Sequence, residues 1–444
     1  MQKLLLVKLS AHAPQQQGDS RTVKGGMSVL RGTLCTKLGH SVLHLSPEAI
    51  KGLGLEMGRE VALWRDGNGY RLGPYIGIMT VRRPQAQPGF AGIGGRRDNF
   101  VGLSRMGQKM GAVVFVFAAE DVDYQAQRIT GFCLEGSGQW TRVSLPWPDV
   151  IYNRVPDRQS EEKAAVALLK KRFVAAGGAL FNSGFFHKWQ ITEALIRQGA
   201  VKHYLPETKL LETARDFLSM LAEHSLLYLK PVSSFAGQGI LQVSRLPHRL
   251  LLRYRAGDEV KEEHYGNVES LLRAVKQHKI PGQYLVQQGL ALAKYRGAIF
   301  DARALVQKTS EGDWDLTGVG IRVASRGGIT THVPCGGHIA SLENVLQEVY
   351  GETEVKSSGV WLRVKNLALA IAPAIEKSLG QTLGEMSMDI GITSAGHCYF
   401  LEANAKPMKF DEPHIWRRSL RRRVEYCRFL AGWRGDEVHS YAGN

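Results

Sequence analysis

The chain has 444 residues, 44% of them hydrophobic and 8% aromatic, which is enough apolar mass for two or three domain cores and excludes disorder as the dominant state. Basic side chains outnumber acidic ones 57 to 41, and the surplus is local: residues 1–110 hold 16 Lys/Arg against 6 Asp/Glu, and residues 405–435 hold 9 against 3. Such patches attract polyanions, but composition does not choose between nucleic acid and a phosphate-rich or carboxylate-rich partner. The best apolar run, from Met110 to Glu120, stops at about ten residues, too short to span a bilayer. Lys8 interrupts the N-terminal apolar stretch too early for a secretory core. Cys35, Cys133, Cys335, Cys398 and Cys427 are scattered without C-x-x-C spacing, which argues against a disulfide framework and a structural zinc site. The expectation is a reduced, cytoplasmic protein.

In chain order, residues 1–74 read as a small β-rich module. Residues 41–45, 60–64 and 70–72 are strand-like, and Asp66-Gly67-Asn68-Gly69 is a hairpin turn. Ser46-Pro47 opens a short helix that stops at Gly52-Leu53-Gly54, and Gly73-Pro74 closes the module. Next, residues 75–80 and 112–117 are apolar runs of the kind found in strands buried on both faces, and 149–154 is a third. With helices over 99–110 and 160–176, these predict a small α/β domain with a parallel sheet over 75–187. The basic loop from Arg82 to Arg97, rich in Gly and Pro, is expected to be mobile. In 188–410, helices alternate with strands at 226–229, 283–287, 299–308, 314–324, 386–392 and 398–401, and tight turns between strand pairs predict an α+β region. Residues 411–444 form an Arg-rich helix, His414 to about Phe429, and a tail. Its run Arg417, Arg418, Arg421, Arg422, Arg423 is either a solvated face or a surface for an anionic partner, while Ile415, Leu420, Val424 and Leu430 form an apolar stripe for docking.

Two segments carry chemistry. In the first, an apolar strand delivers Lys230 into Pro231-Val232-Ser233-Ser234-Phe235-Ala236-Gly237-Gln238-Gly239, a loop of small residues. Backbone N–H groups of such a loop can close over phosphate oxygens while the lysine supplies a point charge. The same residues also suit an ordinary Gly-containing hairpin. In the second, strands 384–392 and 400–407 are joined through Thr393-Ser394-Ala395-Gly396. With Thr393 opposite Gly396, Asp389 falls opposite Phe400, on one face with Glu402 and Asn404 and about 7–8 Å away along the diagonal. Two carboxylates and an amide oxygen suit Mg²⁺. They also suit the polar face of an exposed hairpin.

Together, Lys188, Lys230 with its loop, Gln287-Gln288, Asp301-x-Arg303, Arg322, Gly336-Gly337 and the Asp389…Glu402-x-Asn404 hairpin resemble the ATP-grasp superfamily in order and spacing. Gly73-Pro74-Tyr75-Ile76-Gly77-Ile78, Pro148-Asp149-Val150-Ile151-Tyr152-Asn153-Arg154 and Glu402-Ala403-Asn404-Ala405-Lys406-Pro407 further resemble the YheC/YheD family, described as spore-coat-associated. The resemblance covers nearly the whole chain. It implies a multidomain α+β and α/β protein, with an ATP-grasp fold over 188–410 preceded by a pre-ATP-grasp domain. It implies that Lys188 and Lys230 meet the phosphates of ATP, that Ser233, Ser234, Gly237 and Gly239 cover them, and that the Val286–Leu290 segment, with Gln287 and Gln288, lines the adenine through backbone groups. Asp389, Glu402 and Asn404 would hold two Mg²⁺ ions, and Arg303 and Arg322 would face the transferred phosphoryl group. Gln238 departs from relatives, which often place a basic residue there, and no acidic residue directly follows Gln288 to bind ribose.

The implied activity is ATP- and Mg²⁺-dependent joining of a carboxylate to an amine or thiol through an acyl phosphate, on a peptide or an acidic envelope or spore substrate. The basic patches would then meet an acidic polymer or protein. An ATP-grasp scaffold with an assembly role ranks second. A nucleic-acid-binding protein ranks third, because only Trp416 and Tyr426 accompany the arginine helix and a stacking surface needs interleaved aromatics. His332 and His338, which bracket Gly336-Gly337, are further candidates for contacting substrate.

Overall fold

The computed structural model describes residues 5–11, 19–37, 40–66, 69–82, 97–233, 237–351 and 359–433. Strands β1 (Leu5–Ser10), β2 (Asp19–Gly25), β3 (Ser28–Lys37), β4 (His40–His44), β5 (Glu60–Asp66) and β6 (Gly69–Leu72) close into a barrel in the order β1-β4-β3-β2-β6-β5. Alternating Val7, Leu9, Leu43, Val61 and Leu63 fill its interior, as the two-residue period of a strand requires. The short helix α1 (Pro47–Gly52) starts as expected, with the Ser46 hydroxyl accepting the Ala49 N–H at 3.1 Å.

The second sheet runs β11-β10-β8-β7-β12-β13. Its centre, β7 (Tyr75–Thr80), β8 (Val113–Ala118), β12 (Val150–Asn153) and β13 (Ala179–Phe181), is parallel, with α2 (Arg97–Lys109) crossing between β7 and β8. The sheet is not wholly parallel. The short β9 (Val122–Asp123) and the hairpin β10 (Arg128–Leu134) and β11 (Trp140–Pro146) add antiparallel strands at one edge. These strands are half-polar and turn tightly at 135–139, a pattern that the buried-run criterion passes over. The helix expected over 160–176 is split into α3 (Arg158–Glu161) and α4 (Ala164–Ala175), because the Asp157 carboxylate caps a separate first turn by accepting the Ser160 N–H at 2.8 Å. Most of the Arg82–Arg97 loop lies outside the described residues.

The third sheet has the order β14-β19-β15-β16-β17-β18. It comprises β14 (Thr208–Leu210), β15 (Leu226–Pro231), the meander β16 (Leu241–Leu246), β17 (Arg249–Ala256) and β18 (Glu259–Tyr265), and β19 (Tyr284–Gln288). Helices α6 (Ala214–Glu223) and α7 (Val268–His278) bury Phe217, Met220, Leu271 and Val275 against it, and α5 (Lys188–Ile196) precedes it in the chain. The fourth sheet runs β23-β22-β21-β24-β25, with the two-residue β20 (Lys294–Tyr295) paired to β21. Its strands are β21 (Ala298–Lys308), β22 (Trp314–Val323), β23 (His338–Ala340), β24 (Glu385–Ile392) and β25 (Cys398–Asn404). Helices α8 (Leu342–Tyr350) and α9 (Gly359–Leu379) lie within this stretch.

Strands β21 and β24 are two-faced. Ala302, Ala304, Val306, Met386, Met388 and Ile390 join the core under α9. The alternate residues Asp301, Arg303, Gln307, Glu385, Ser387 and Asp389 point the other way. One end of that polar face is roofed by α10 (Pro413–Leu430), and the other opens into a cleft against β15 and β19.

Helix α10 corrects both readings of its arginines, as a solvated face or as a surface for an anionic partner, for two of the five. Arg422 and Arg423 are each only 8% exposed, because the helix docks between α2 and the fourth sheet. Gly102 of α2 has no side chain where a Cβ would come within 3.0 Å of Trp416 and Leu420, so the two helices approach closely. Arg422 pairs with Asp315 and donates to the Thr317 hydroxyl at 3.0 Å. Arg423 Nε donates to Glu385 at 2.8 Å. Fully buried Glu385 also accepts from the Tyr152 hydroxyl and from Gln307, with Arg154 at 3.5 Å. Burial acts to raise the Glu385 carboxyl, but Arg423 and Arg154 hold it below the usual carboxylate range. Arg417, Arg418 and Arg421 do face solvent, with Arg421 bonded to Glu425 one helical turn on.

Breaking a buried ion pair strands a charge. Arg423→Ala is therefore expected to lose roughly 3–5 kcal/mol in urea unfolding, whereas exposed Arg421→Ala should stay within about 0.5 kcal/mol. Because the Glu385 value is depressed on folding, its contribution is complete above the unfolded value of about 4.3 and is lost as pH falls through the folded value. The wild-type advantage over Glu385→Gln should shrink in acid accordingly. Equal losses for the two arginines would contradict this assignment.

Candidate functional site

Strands β24 and β25 pair Ile392↔Cys398, Gly391↔Tyr399 and Ile390↔Phe400, and then shift, so that Asp389 pairs directly with Glu402. The expected register had Asp389 opposite Phe400. Two one-residue shifts make up the difference: the turn closes with the Thr393 N–H on the His397 carbonyl at 2.9 Å, one residue later than Gly396, and a bulge at Leu401 advances every pair beyond it by one more. Phe400 turns into the core, Leu401 faces the cleft, and Asp389 and Glu402 stand across from each other. Asn404 pairs with Ser387 two residues along on the same face, at the exposed end of the hairpin.

Buried Arg322 organises this face. Its Nε and Nη2 donate to the two oxygens of Asp301 at 3.1 and 3.2 Å, and Nη2 also reaches Asp389 Oδ2 at 2.7 Å. Burial alone would weaken its proton, but Asp389 and Asp301 together hold it above the ordinary arginine value. Burial also raises the Asp301 carboxyl, which Arg322 only partly offsets. Asp389 Oδ1 is buried with no hydrogen-bond partner. Arg303 lies opposite Asp389 in the ladder, its guanidinium 5.2 Å from the Phe410 ring centre and its Nε without a partner. Burial lowers the Arg303 value.

The two lysines come from different elements. Lys188, in the first turn of α5, has Nζ 3.1 Å from Glu402 Oε2. Lys230, at the end of β15, donates to Gln287 Oε1 at 2.6 Å, and Gln287 in turn donates to the Thr208 hydroxyl at 3.0 Å. Burial pushes Lys230 down to about 8, with Glu402 pulling it up and Lys188 pushing it further down. Burial works to raise Glu402, but Lys188, His332 and Lys230 bring it well below the usual range. The Gln288 N–H is bonded to the Glu207 carbonyl at 2.8 Å, and its side-chain oxygen accepts the Glu207 N–H at 3.1 Å. In the glycine-containing loop, Ser233 is exposed, Gly237 and Gly239 have φ of +76° and +71°, and Ser234 lies outside the described residues.

Lys230, Gln287, Gln288, Asp301, Asp389 and Glu402 line one open cleft between the third and fourth sheets. One part of its lining is apolar, with Ile240, Leu290, Leu292, Ile299, Ile329 and Leu401, and the rest carries Lys230, Asp301, Asp389 and Glu402. The ligand atoms of His332, Asp389 and Glu402 lie within 4.8 Å of one another. The donor set fits a divalent cation. Each carboxylate has one oxygen held by a protein cation, and the second oxygen of Asp389 is left buried and unmatched, a costly state unless a ligand supplies charge. A second acidic group, Glu207, Glu223 and His224, already has Lys209 at 3.3 Å from Glu207.

Lys230, Gln287, Gln288, Asp389 and Glu402 thus line the cleft. Lys188 reaches it through Glu402, and Arg322 and Arg303 through Asp389. Leu292, Ile329 and Thr331 carry no sequence signal, because isolated residues in connecting segments show no periodicity. The bulge was equally silent.

The chain belongs to the YheC/D like ATP-grasp family, whose model matches residues 177–430. Over 373 residues it is 26% identical to the endospore coat-associated protein YheD of Bacillus subtilis (strain 168), covering 81% of this chain and 79% of the relative. It is 21% identical over 280 residues to the endospore coat-associated protein YheC of the same organism, covering 61% and 74%. Among solved structures, the VanG D-Ala:D-Ser ligase from Enterococcus faecalis aligns at a TM-score of 0.43 and 12% identity, covering 81% of this chain and 99% of that one. ATP-grasp proteins use ATP with Mg²⁺ and in general join carboxylates to amines. Among the described residues, no helix is long and apolar enough to cross a membrane.

In the nucleotide-free protein the Lys230 ammonium is expected to titrate near pH 8, followed by NMR of isotopically labelled lysine. Removing the carboxylate that supports its charge, with Glu402→Gln, should lower that midpoint further. An unmoved or rising midpoint would place Lys230 outside the influence of Glu402.

Proposed function

We propose that this protein activates a carboxylate as an acyl phosphate at the cleft between the third and fourth sheets and passes the acyl group to an amine or thiol. The observation that carries this reading is the buried, unpartnered oxygen of Asp389 facing Glu402 among Lys188, Lys230, Arg303 and Arg322. In this reading residues 1–74 are a small β-rich module, 75–187 the pre-ATP-grasp domain, 188–410 the ATP-grasp domain, and 411–444 the Arg-rich helix and a tail.

The residue roles follow from charge. Lys188 and Lys230 hold the phosphates, and the loop with Ser233, Ser234, Gly237 and Gly239 covers them. Gln287 and Gln288 edge the apolar slot that takes the base. Asp389, Glu402 and Asn404 hold one or two magnesium ions, which when bound supply charge neutralisation and Lewis acidity. Arg303 faces the transferred phosphoryl group, while Arg322 keeps Asp389 in position. A substrate carboxylate oxygen attacks the γ-phosphorus and ADP leaves. The amine nitrogen then attacks the acyl carbon, and phosphate departs with the bonding pair. Protein cations offset the charge that builds on the transferring group, so no protein nucleophile is needed.

The substrate class is a peptide or an acidic envelope or spore component, in keeping with the endospore coat-associated relatives. The names of these relatives also favour a second reading, a nucleotide-binding scaffold in coat assembly that does not turn over. The two part on ADP release by the purified chain with pooled extract acids and amines: stimulated release supports ligation, and binding without release supports the scaffold.

Lys230→Ala is expected to weaken ATP at least tenfold more than AMP, because its ammonium meets phosphate and not base. A folded Glu402→Ala/Asn404→Ala protein should lose magnesium-dependent ATP binding in titration calorimetry. Unchanged MgATP affinity in that protein would remove the metal assignment.

A further inference from the structure

We infer that His332 is a further protein ligand of the cleft's metal beside Asp389 and Glu402, making it a mixed nitrogen and oxygen site that favours Mn²⁺ over Mg²⁺. This inference rests on the reading of the cleft as a nucleotide–metal site.

The geometry comes from the segment after β22. Thr331 donates its hydroxyl to Asp301, the carboxylate that Arg322 joins to Asp389, so the residue beside His332 is tied to the same buried network as the metal-facing carboxylate. On its other side, the His332 carbonyl accepts N–H bonds from Cys335 at 2.8 Å and Gly337 at 3.3 Å, which close a tight turn. With both flanks pinned, the imidazole projects into the cleft lining with Asp389 and Glu402. Gly237 of the covering loop makes room for it. A Cβ there would lie 2.9 Å from His332 Cδ2, and the +76° φ independently excludes most side chains.

The three ligand atoms lie within 4.8 Å of one another. Atoms about 2.1 Å from a shared ion stand roughly 4.2 Å apart when opposite and roughly 3.0 Å apart when adjacent, so side-chain adjustments of up to about 2 Å complete the set. Lys188 occupies Glu402 Oε2 and Arg322 occupies Asp389 Oδ2, so each carboxylate still has its other oxygen, and that of Asp389 is buried and unmatched. Magnesium favours an all-oxygen shell, whereas imidazole donors suit first-row transition metals.

The test uses the full chain with Mn²⁺ and ADP. The expected result is electron spin-echo modulation from a histidine nitrogen, shifted when the protein carries isotope-labelled histidine and absent in His332→Gln. The same substitution should weaken Mn²⁺ roughly tenfold or more and Mg²⁺ clearly less, with unfolding temperature unchanged. Bound Mn²⁺ with no histidine modulation, or equal losses for the two metals, would overturn this inference and leave the nucleotide site standing. Failure of Mn²⁺ and Mg²⁺ alike to bind with ADP would overturn both.

Discussion

One buried guanidinium sets the terms for the site. Arg322 joins Asp301 on β21 to Asp389 on β24, within a fold whose other strand face is wholly apolar. An arginine and two carboxylates so buried are costly unless their charges are matched. Arg303 adds a second guanidinium opposite Asp389, yet one oxygen of Asp389 is still left without a partner. That residual need, in a cleft lined by Lys230 with Lys188 paired to Glu402, suits the site to a cation that arrives with a polyanion.

The rest of the architecture holds this face rigid. The two-residue alternation of β21 and β24 sends aliphatic residues under α9 and polar residues to the opposite side. At one end that side is roofed by α10, whose Arg422 and Arg423 bind carboxyl groups of this chain. The helix also ties the sheets together. Trp433 beyond it packs 6.0 Å from Trp64 of the barrel, and Arg428 reaches the Met110 carbonyl after α2. Charge that composition suggests is available to partners is thus partly consumed inside the fold. The solvent-facing basic residues of α10 are Arg417, Arg418 and Arg421.

Much of this was legible in the chain. Buried strands such as β7 and β8 announce themselves as apolar runs, Ser46-Pro47 as a helix start, and the Lys230, Asp389 and Glu402 segments by their order. Legibility failed where the signal depends on context. The edge hairpin β10–β11 is half-polar because one face is solvated, so it lacks the uninterrupted run of a central strand. The longer turn at Thr393–His397 and the bulge at Leu401 are matters of register, which composition does not encode, yet together they change a diagonal relation between Asp389 and Glu402 into a direct one. The burial of Arg422 and Arg423 depends on Asp315 and Glu385, more than thirty residues away, and no local pattern points to those partners.

The account is tested most directly by the magnesium dependence of ADP affinity in Asp389→Asn, measured by calorimetry beside wild type, with thermal unfolding as the control for fold. If the free oxygen of Asp389 receives the cation, magnesium should tighten ADP binding in wild type and have little effect in the variant, while metal-free ADP binding stays similar. An undiminished magnesium effect in the folded variant would contradict the account.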